Sequence, residues 1–472
     1  MHLRTISAFI VSVVLVLALG FNTGCRKDVL TTDSSAKLRF SVDTLTFDTV
    51  FTTIASTTLP LKIFNDNKNK IKVSSIELGG GASSKFRINV DGIPGDAYEI
   101  EIEGKDSLYI FVEVTVDPNN ANNPLIFIDS LNFLTNGNKQ KVVLAAWGQD
   151  AHFYNGQVIC NETWVNDKPY VIFNSMLIDA GCELIIDPGV QIHLSDNSFL
   201  YVRGKITANG GCGTDTVSFR GLRLEEFYDD LPGQWPGIFI LRGSQNNSFT
   251  NVEIKNSTFG LNLGADTTDN LASFTTSNKS SVTLDKVVIK NALSTGIYST
   301  LSDVTATNCL FYNTTDNLLT MGLGGTYVFT NCNFINYGSV TTSHDKPNIL
   351  MSNVATNEAR GQTVFADLNA TFKNCIVDGS LDEEIQIEQA DEATLVYRFE
   401  NCLVKTERTT TPDSFINVLV NVSPQFKNRG EDDFTLLPGS PCIDAGSGFI
   451  FDDLECTPRN GTIDIGALEY QP

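Results

Sequence analysis

The sequence predicts an all-β protein in two parts: a β-sandwich over 38–151, then a parallel β-helix over 152–472. Three observations carry this. One six-residue phrase recurs through the second part, as Phe249-Thr-Asn-Val-Glu-Ile254, Leu284-Asp-Lys-Val-Val-Ile289, Ala306-Thr-Asn-Cys-Leu-Phe311, Phe329-Thr-Asn-Cys-Asn-Phe334, Phe372-Lys-Asn-Cys-Ile-Val377 and Phe399-Glu-Asn-Cys-Leu-Val404. The phrases recur at a period near 22 residues, with some longer gaps that read as insertions or double coils. The composition holds 19% charged residues and 36 glycines with abundant Thr, Ser and Asn, which favours strands and turns over helical bundles.

The first, fourth and sixth slots of the phrase are apolar each time. Slots four and six share one face of a strand, because side chains alternate with period two. Slot one turns inward as well only if the chain bends at slots two and three. Asn fills slot three in five of six phrases and tolerates the left-handed conformation such a bend needs. Each phrase therefore reads as a corner plus a short buried strand. Stacked coils lay like over like, so Cys309, Cys332, Cys375 and Cys402 form an internal column and the Asn residues a ladder at one corner.

Residues 1–24 read as a signal segment: Arg4 gives a positive start, and Ile6 to Leu19 is an apolar run too short to span a bilayer comfortably. Thr23-Gly24-Cys25 then resembles a bacterial lipobox, although Asn22 stands where Leu is usual. The resemblance implies lipid attachment at Cys25, with residence at the outer membrane of a Gram-negative bacterium. Residues 25–37 read as a tether.

From Leu38 to Ala151 the pattern changes. Leu45 to Phe51, Leu59 to Ile63, Ile71 to Leu78, Ser107 to Val116, Asp129 to Leu134 and Lys141 to Trp147 alternate as strands do. Turn texts such as Asn65-Asp-Asn, Gly79-Gly-Gly, Asp117-Pro-Asn-Asn and Asn136-Gly-Asn separate them. Short antiparallel strands at this density suggest an immunoglobulin-like sandwich, without Cys and so without an inter-sheet disulfide. It resembles the Ig-like modules that precede β-helices in bacterial surface lipoproteins, where a spacer role is expected.

The second part opens with strand-sized pieces cut by Gly and Pro. Glu183-Leu-Ile-Ile-Asp-Pro-Gly-Val190, Leu200-Tyr-Val-Arg-Gly-Lys-Ile206 and Trp235-Pro-Gly-Ile238 resemble the entry coils of right-handed parallel β-helix proteins of the pectate-lyase-like superfamily. The end does too: Ser440-Pro-Cys-Ile-Asp-Ala-Gly446, then Arg459-Asn-Gly-Thr-Ile-Asp-Ile-Gly-Ala-Leu-Glu-Tyr470. The resemblance implies a right-handed coil and says little about activity. Nine cysteines remain after Cys25: Cys160 and Cys182 are spaced to stack, Cys442 and Cys456 to pair, and an odd count leaves at least one thiol free.

A net charge of −22 excludes nucleic acid as a partner. Four scattered His residues and no zinc-type spacing argue against a Ser-His-Asp set or a metal centre. The Gly-His-Gly and Arg-Ile-Lys texts of polygalacturonase-type relatives are absent, and Arg360 and Arg398 read as surface charges. Two loops stand out. Glu225 to Trp235 places Tyr228 and Trp235 beside Asp229 and Asp230, aromatic faces and carboxylates that suit a saccharide; the plainer reading is an insertion with Trp235 as local core. Asp382 to Glu392 carries six carboxylates that could bind calcium, but it lacks the order of a dedicated loop, and a solvated acidic face is the stronger reading. No other cofactor is implied. The expected function is non-catalytic glycan binding or adhesion from a membrane-anchored protein. A polysaccharide lyase or glycoside hydrolase is the alternative, and a purely structural surface protein the third.

Overall fold

The computed structural model describes residues 29–52, 56, 58–116, 125–265 and 274–472. The signal segment, Cys25 and the turn at Asp117 lie outside the described residues. The chain is all-β and divides into two units, Met1–Gln149 and Asp150–Pro472. No helix among the described residues is long and apolar enough to cross a membrane.

The first unit holds two five-stranded sheets. One runs, in spatial order, through Arg39–Phe40, Leu59–Phe64, Ser107–Val114, Phe86–Val90 and Ile93–Pro94; the other through Thr44–Phe51, Asn138–Gln149, Leu125–Thr135, Ile71–Leu78 and Ala97–Ile102. Alternation does the sorting: Leu108, Ile110, Val112 and Val114 are buried in a core shared with the other sheet, while Tyr109 and Phe111 face out. Asn138–Gln149 pairs antiparallel with Leu125–Thr135 but parallel with Thr44–Phe51. Asn65 is fully buried, and its amide donates to the carbonyls of Asn69, Ile102 and Glu103 at 2.9–3.0 Å, so the expected turn has a satisfied polar hub. The strands Phe86–Val90 and Ala97–Ile102 were not expected, although Phe86, Ile88 and Val90 alternate as a strand should. Residues 29–37 are a correction as well. Leu30 bridges Lys70, Ala36 is buried, and the Asn136 and Asn138 amides donate to Asp33 and Ser34 carbonyls, so this stretch packs against a hairpin turn and strand end of the second sheet.

In the second unit 24 strands join into one sheet system. Each pairs in parallel with a strand one coil further on. Glu183–Ile186 meets Lys205–Asn209, and Phe199–Val202 meets Gly237–Leu241. The recurring phrases stack in the expected register. Slot one runs Phe249, Leu284, Ala306, Phe329, Phe372, Phe399 and on to Phe415. The rings of Phe329, Phe372, Phe399 and Phe415 follow one another at 4.6–5.4 Å, nearly parallel. Slot six runs Ile254, Ile289, Phe311, Phe334, Val377 and Val404. The long gap before Phe372 is one coil with an inserted hairpin, Val354–Asn357 against Gln362–Phe365.

The corner is where the sequence placed it. Asn251, Lys286, Asn308, Asn331, Asn374 and Asn401 all have φ between 47° and 54°. That bend brings slots one and four onto the same interior. Cys309, Cys332, Cys375 and Cys402 are fully buried and unpaired. Each of the last three thiols donates to the slot-one carbonyl of the preceding coil, at Ala306, Phe329 and Phe372. A small apolar side chain with a weak donor suits this place. Burial pushes the thiols of Cys309, Cys332 and Cys375 well above their ordinary range.

The other cysteines pair differently from the expectation. Cys160 bonds Cys182 covalently instead of merely stacking on it, and Cys456 bonds Cys212, not Cys442. Cys442 is a buried free thiol. It belongs to a second apolar cluster on the outside of the coils, where Leu310, Ile335, Ile376 and Leu403 face outward and are covered by Phe426, Phe434, Leu436 and Ile465. The closing text docks along the corner ladder. Asn331 donates to the carbonyls of Asp464 and Gly466, and Asn374 to that of Ser447. Arg459, 5% exposed, donates to Asn308 and pairs with Glu469 at 2.8 Å. A Cβ on Gly466 would lie 2.6 Å from Asn333 Oδ1, so only glycine lets this segment approach.

Candidate functional site

Another outward face of the coils is left open. On Phe199–Val202, Leu200 and Val202 point into the core, so Phe199 and Tyr201 point out. On Gly237–Leu241 the inward pair is Ile238 and Ile240, and Phe239 points out. Asn262 and Tyr298 alternate in the same way on the next two strands. Parallel register then aligns Tyr201, Phe239, Asn262, Tyr298 and Thr320 in one row. Phe259 links Phe239 to Tyr298, with ring centroids 6.1 Å from each. Phe199 packs against both Tyr201 and Phe239 at 5.1–5.2 Å.

A groove of about 600 Å³ lies over this row. Its wall is the inserted hairpin, which contributes Asn357 and Glu358. Two single-residue bulges open its floor, and each extra residue is a glycine: Gly264 where Leu241 pairs with Ala265, and Gly322 where Thr300 pairs with Leu323. Gly264 has φ +74°, and a Cβ there would lie 2.0 Å from the Thr300 carbonyl oxygen. Bulges of this kind re-aim side chains beside binding surfaces. The Arg242 guanidinium stacks 4.0 Å from the Phe274 ring at the groove's edge. Partial burial raises the Tyr201 phenol above its ordinary range, keeping it a hydroxyl donor. Glu358 is the one acid among the described lining residues, which otherwise offer aromatic faces, amides and hydroxyls. No part of this was anticipated, because its residues lie in coils of unequal length and share no sequence motif.

The anticipated site is different in kind. Trp235 is fully buried, packs in the main core and donates its indole N–H to the Lys255 carbonyl at 2.9 Å. It cannot stack on a ligand, which corrects that assignment. Asp229 lies 2.7 Å from Lys255 and 3.1 Å from Arg220, and the Lys255 contact holds its carboxyl below the ordinary range. Asp230 accepts from Asn291 at 3.0 Å. The Tyr228 ring lies under the Arg223 guanidinium, and its carbonyl accepts from Asn256. These residues anchor an insertion. The acidic loop does not converge either: Glu383 binds Thr406, and Glu384 is fully buried. Among the described residues no group of three His, Cys, Asp or Glu side chains is placed to hold a metal ion. His193 is buried, and burial first, with Arg220 beside it, pulls its imidazole down to about 3.

No protein-family model matches the chain, and no curated protein matches it. Among solved structures, the catalytic domain of a GH87 α-1,3-glucanase in complex with nigerose is 10% identical, with 82% of this chain and 91% of that chain covered and a TM-score of 0.18. The ASH/PapD-like domain of human CEP192 is 13% identical over 25% of this chain and 89% of that domain, with the same TM-score of 0.18. A family 123 glycoside hydrolase from Clostridium perfringens is 8% identical over 24% of this chain, which spans 26% of that enzyme, again at 0.18. At this level of similarity none of them assigns a family or an activity to the chain.

Proposed function

We propose that this is a lipid-anchored envelope protein of a Gram-negative bacterium that binds polysaccharide non-catalytically. In this reading the first unit is an Ig-like spacer, and the parallel coils form a right-handed β-helix of the pectate-lyase-like kind. The observation that carries the binding role is the open row of Tyr201, Phe239 and Tyr298 beneath a 600 Å³ groove edged by Asn262, Asn357 and Glu358. Sugars present apolar C–H faces that stack on such rings, while amides and carboxylates take their hydroxyls. Glu358 as the one acid among the described lining residues favours a neutral glycan over a uronate and binding over the paired-carboxylate hydrolysis of glycosidases. Two disulfides support export to an oxidising compartment.

The test is retention of a soluble form covering 26–472 on neutral and uronic polysaccharides, with assays for new reducing ends and unsaturated products alongside. Retention on a neutral glycan without products is expected. Phe239→Ala and Tyr298→Ala should each weaken it about fivefold or more, the loss of one aromatic stack of about 1 kcal/mol. Unchanged affinity in both variants removes the groove as the site. Cys25→Ala should release the full protein from membranes, since the lipid supplies the anchoring; unaltered fractionation rejects the anchor.

A further inference from the structure

We infer a second, separate site: Ser380, His344 and Glu384 form a nucleophile, base and carboxylate set that hydrolyses carboxylic esters. Ser380 stands at the exposed end of the strand Ile376–Gly379. Its hydroxyl lies 2.7 Å from His344 Nδ1. The Ser380 backbone N–H donates to the Asn336 carbonyl at 3.1 Å and is shared with that nitrogen at 3.4 Å. A backbone N–H can only donate, so Nδ1 carries the lone pair and the proton sits on Nε2. Nε2 faces Glu384 Oε2 at 3.2 Å, a charge contact not yet aligned as a hydrogen bond. Contacts of this kind are often loose before substrate arrives. This is the tautomer a serine nucleophile requires.

Burial falls in the matching order. Ser380 is exposed, the His344 side chain is 1% exposed and that of Glu384 is 0%. Glu384 is held by the backbone N–H groups of Leu381 and Asn348 at 3.0 and 3.1 Å. Gly379 makes the approach feasible. A Cβ there would lie 2.2 Å from Glu384 Oε1 and 2.7 Å from His344 Cε1. Gly379, next to Ser380 in the chain, borders a cavity of about 420 Å³ of mixed charge, lined also by Asp378, Asp382, Glu407, Lys405 and Arg429, room for a small polar ester. Lys405 also donates to the Gly379 carbonyl at 2.9 Å.

In the reaction, Ser380 Oγ attacks the acyl carbon and its proton passes to His344 Nδ1. The ester C–O bond breaks, and the alcohol leaves with that proton. Water then attacks the acyl-serine, giving its proton to Nδ1, and the carboxylic acid departs as Ser380 regains a proton. Ester and water become acid and alcohol. Glu384 is a positioning residue that holds the ring and steadies the imidazolium.

The full chain should hydrolyse p-nitrophenyl acetate and be labelled by a fluorophosphonate at Ser380. Ser380→Ala should abolish both while melting as the parent does, because the position is exposed. Glu384→Gln should lower kcat at least tenfold with KM unchanged, a split that a purely structural role does not produce. Ser380→Ala should keep the parent's polysaccharide retention, which separates this site from the groove. No label on Ser380, or hydrolysis by Ser380→Ala at the parent rate, overturns the inference.

Discussion

Two outward faces of the same stack of coils carry large apolar side chains that point away from the core and meet opposite ends. On one, Leu310, Ile335, Ile376 and Leu403 are sealed under Phe426, Phe434 and Leu436. On the other, Tyr201, Phe239 and Tyr298 stay half-buried beside an unfilled groove. Aliphatic side chains have no polar atom to satisfy, so a cover of the chain's own making completes them. Aromatic rings that keep a hydroxyl or an edge in water tolerate standing open. An outward apolar residue on a repeating stack is therefore uninformative until its cover is known.

The comparison breaks most readily on the sealed face. Phe434→Ala removes a ring packed 5.2 Å from Tyr312 and 5.4 Å from Phe426. Chemical denaturation should show a loss of about 3–5 kcal/mol. Arg459→Ala strands the buried Glu469 and should cost a similar amount, about 3–5 kcal/mol. Wild-type stability in both variants shows that the closing segment only leans on the coils. At the corner, Asn374→Ala forces a left-handed residue without Asn, about 1–2 kcal/mol, and loses the hydrogen bonds to Asn331 and Ser447. Asn374→Gly should recover the backbone part alone, measured in the same titration. In the interior, Cys375→Ser keeps a donor for the Phe329 carbonyl and should cost about 1 kcal/mol. Cys309, Cys332, Cys375 and Cys402 should resist alkylation until the protein is unfolded. The smallest effect belongs to the open face: Phe239→Ala should change stability by about 1 kcal/mol or less, within the range of ordinary surface substitutions. A loss matching Phe434→Ala makes the open face as structural as the sealed one.

The interior was legible because its signal repeats. Slot one, slot four and slot six recur in six phrases and the left-handed Asn in five, with Lys286 in the sixth, and every one sits where the period places it. The cover was not read from the phrase: slot five is apolar at Leu310, Ile376 and Leu403, but only folding shows that it is buried and which distant segment lies on it. The groove was invisible, since its row is assembled by register between coils whose lengths differ. The Glu225 loop misled for a related reason. Acid and aromatic residues in one insertion describe a ligand platform and a self-anchored loop equally well, and only the burial of Trp235 tells them apart. Ser380, His344 and Glu384 meet only after folding brings two distant stretches of chain together.

The disulfide between Cys212 and Cys456 joins residues 244 apart, and this sets a clock on biogenesis. Coils can form in the order in which they leave the ribosome, each templating the next. The aliphatic stripe along their flank has no partner until Phe426, Phe434, Leu436 and Ile465 arrive. For most of its synthesis the nascent molecule carries a sticky seam, and a truncated product carries it permanently. The late cross-link then acts as a seal, a bond that only a chain reaching Cys456 can make.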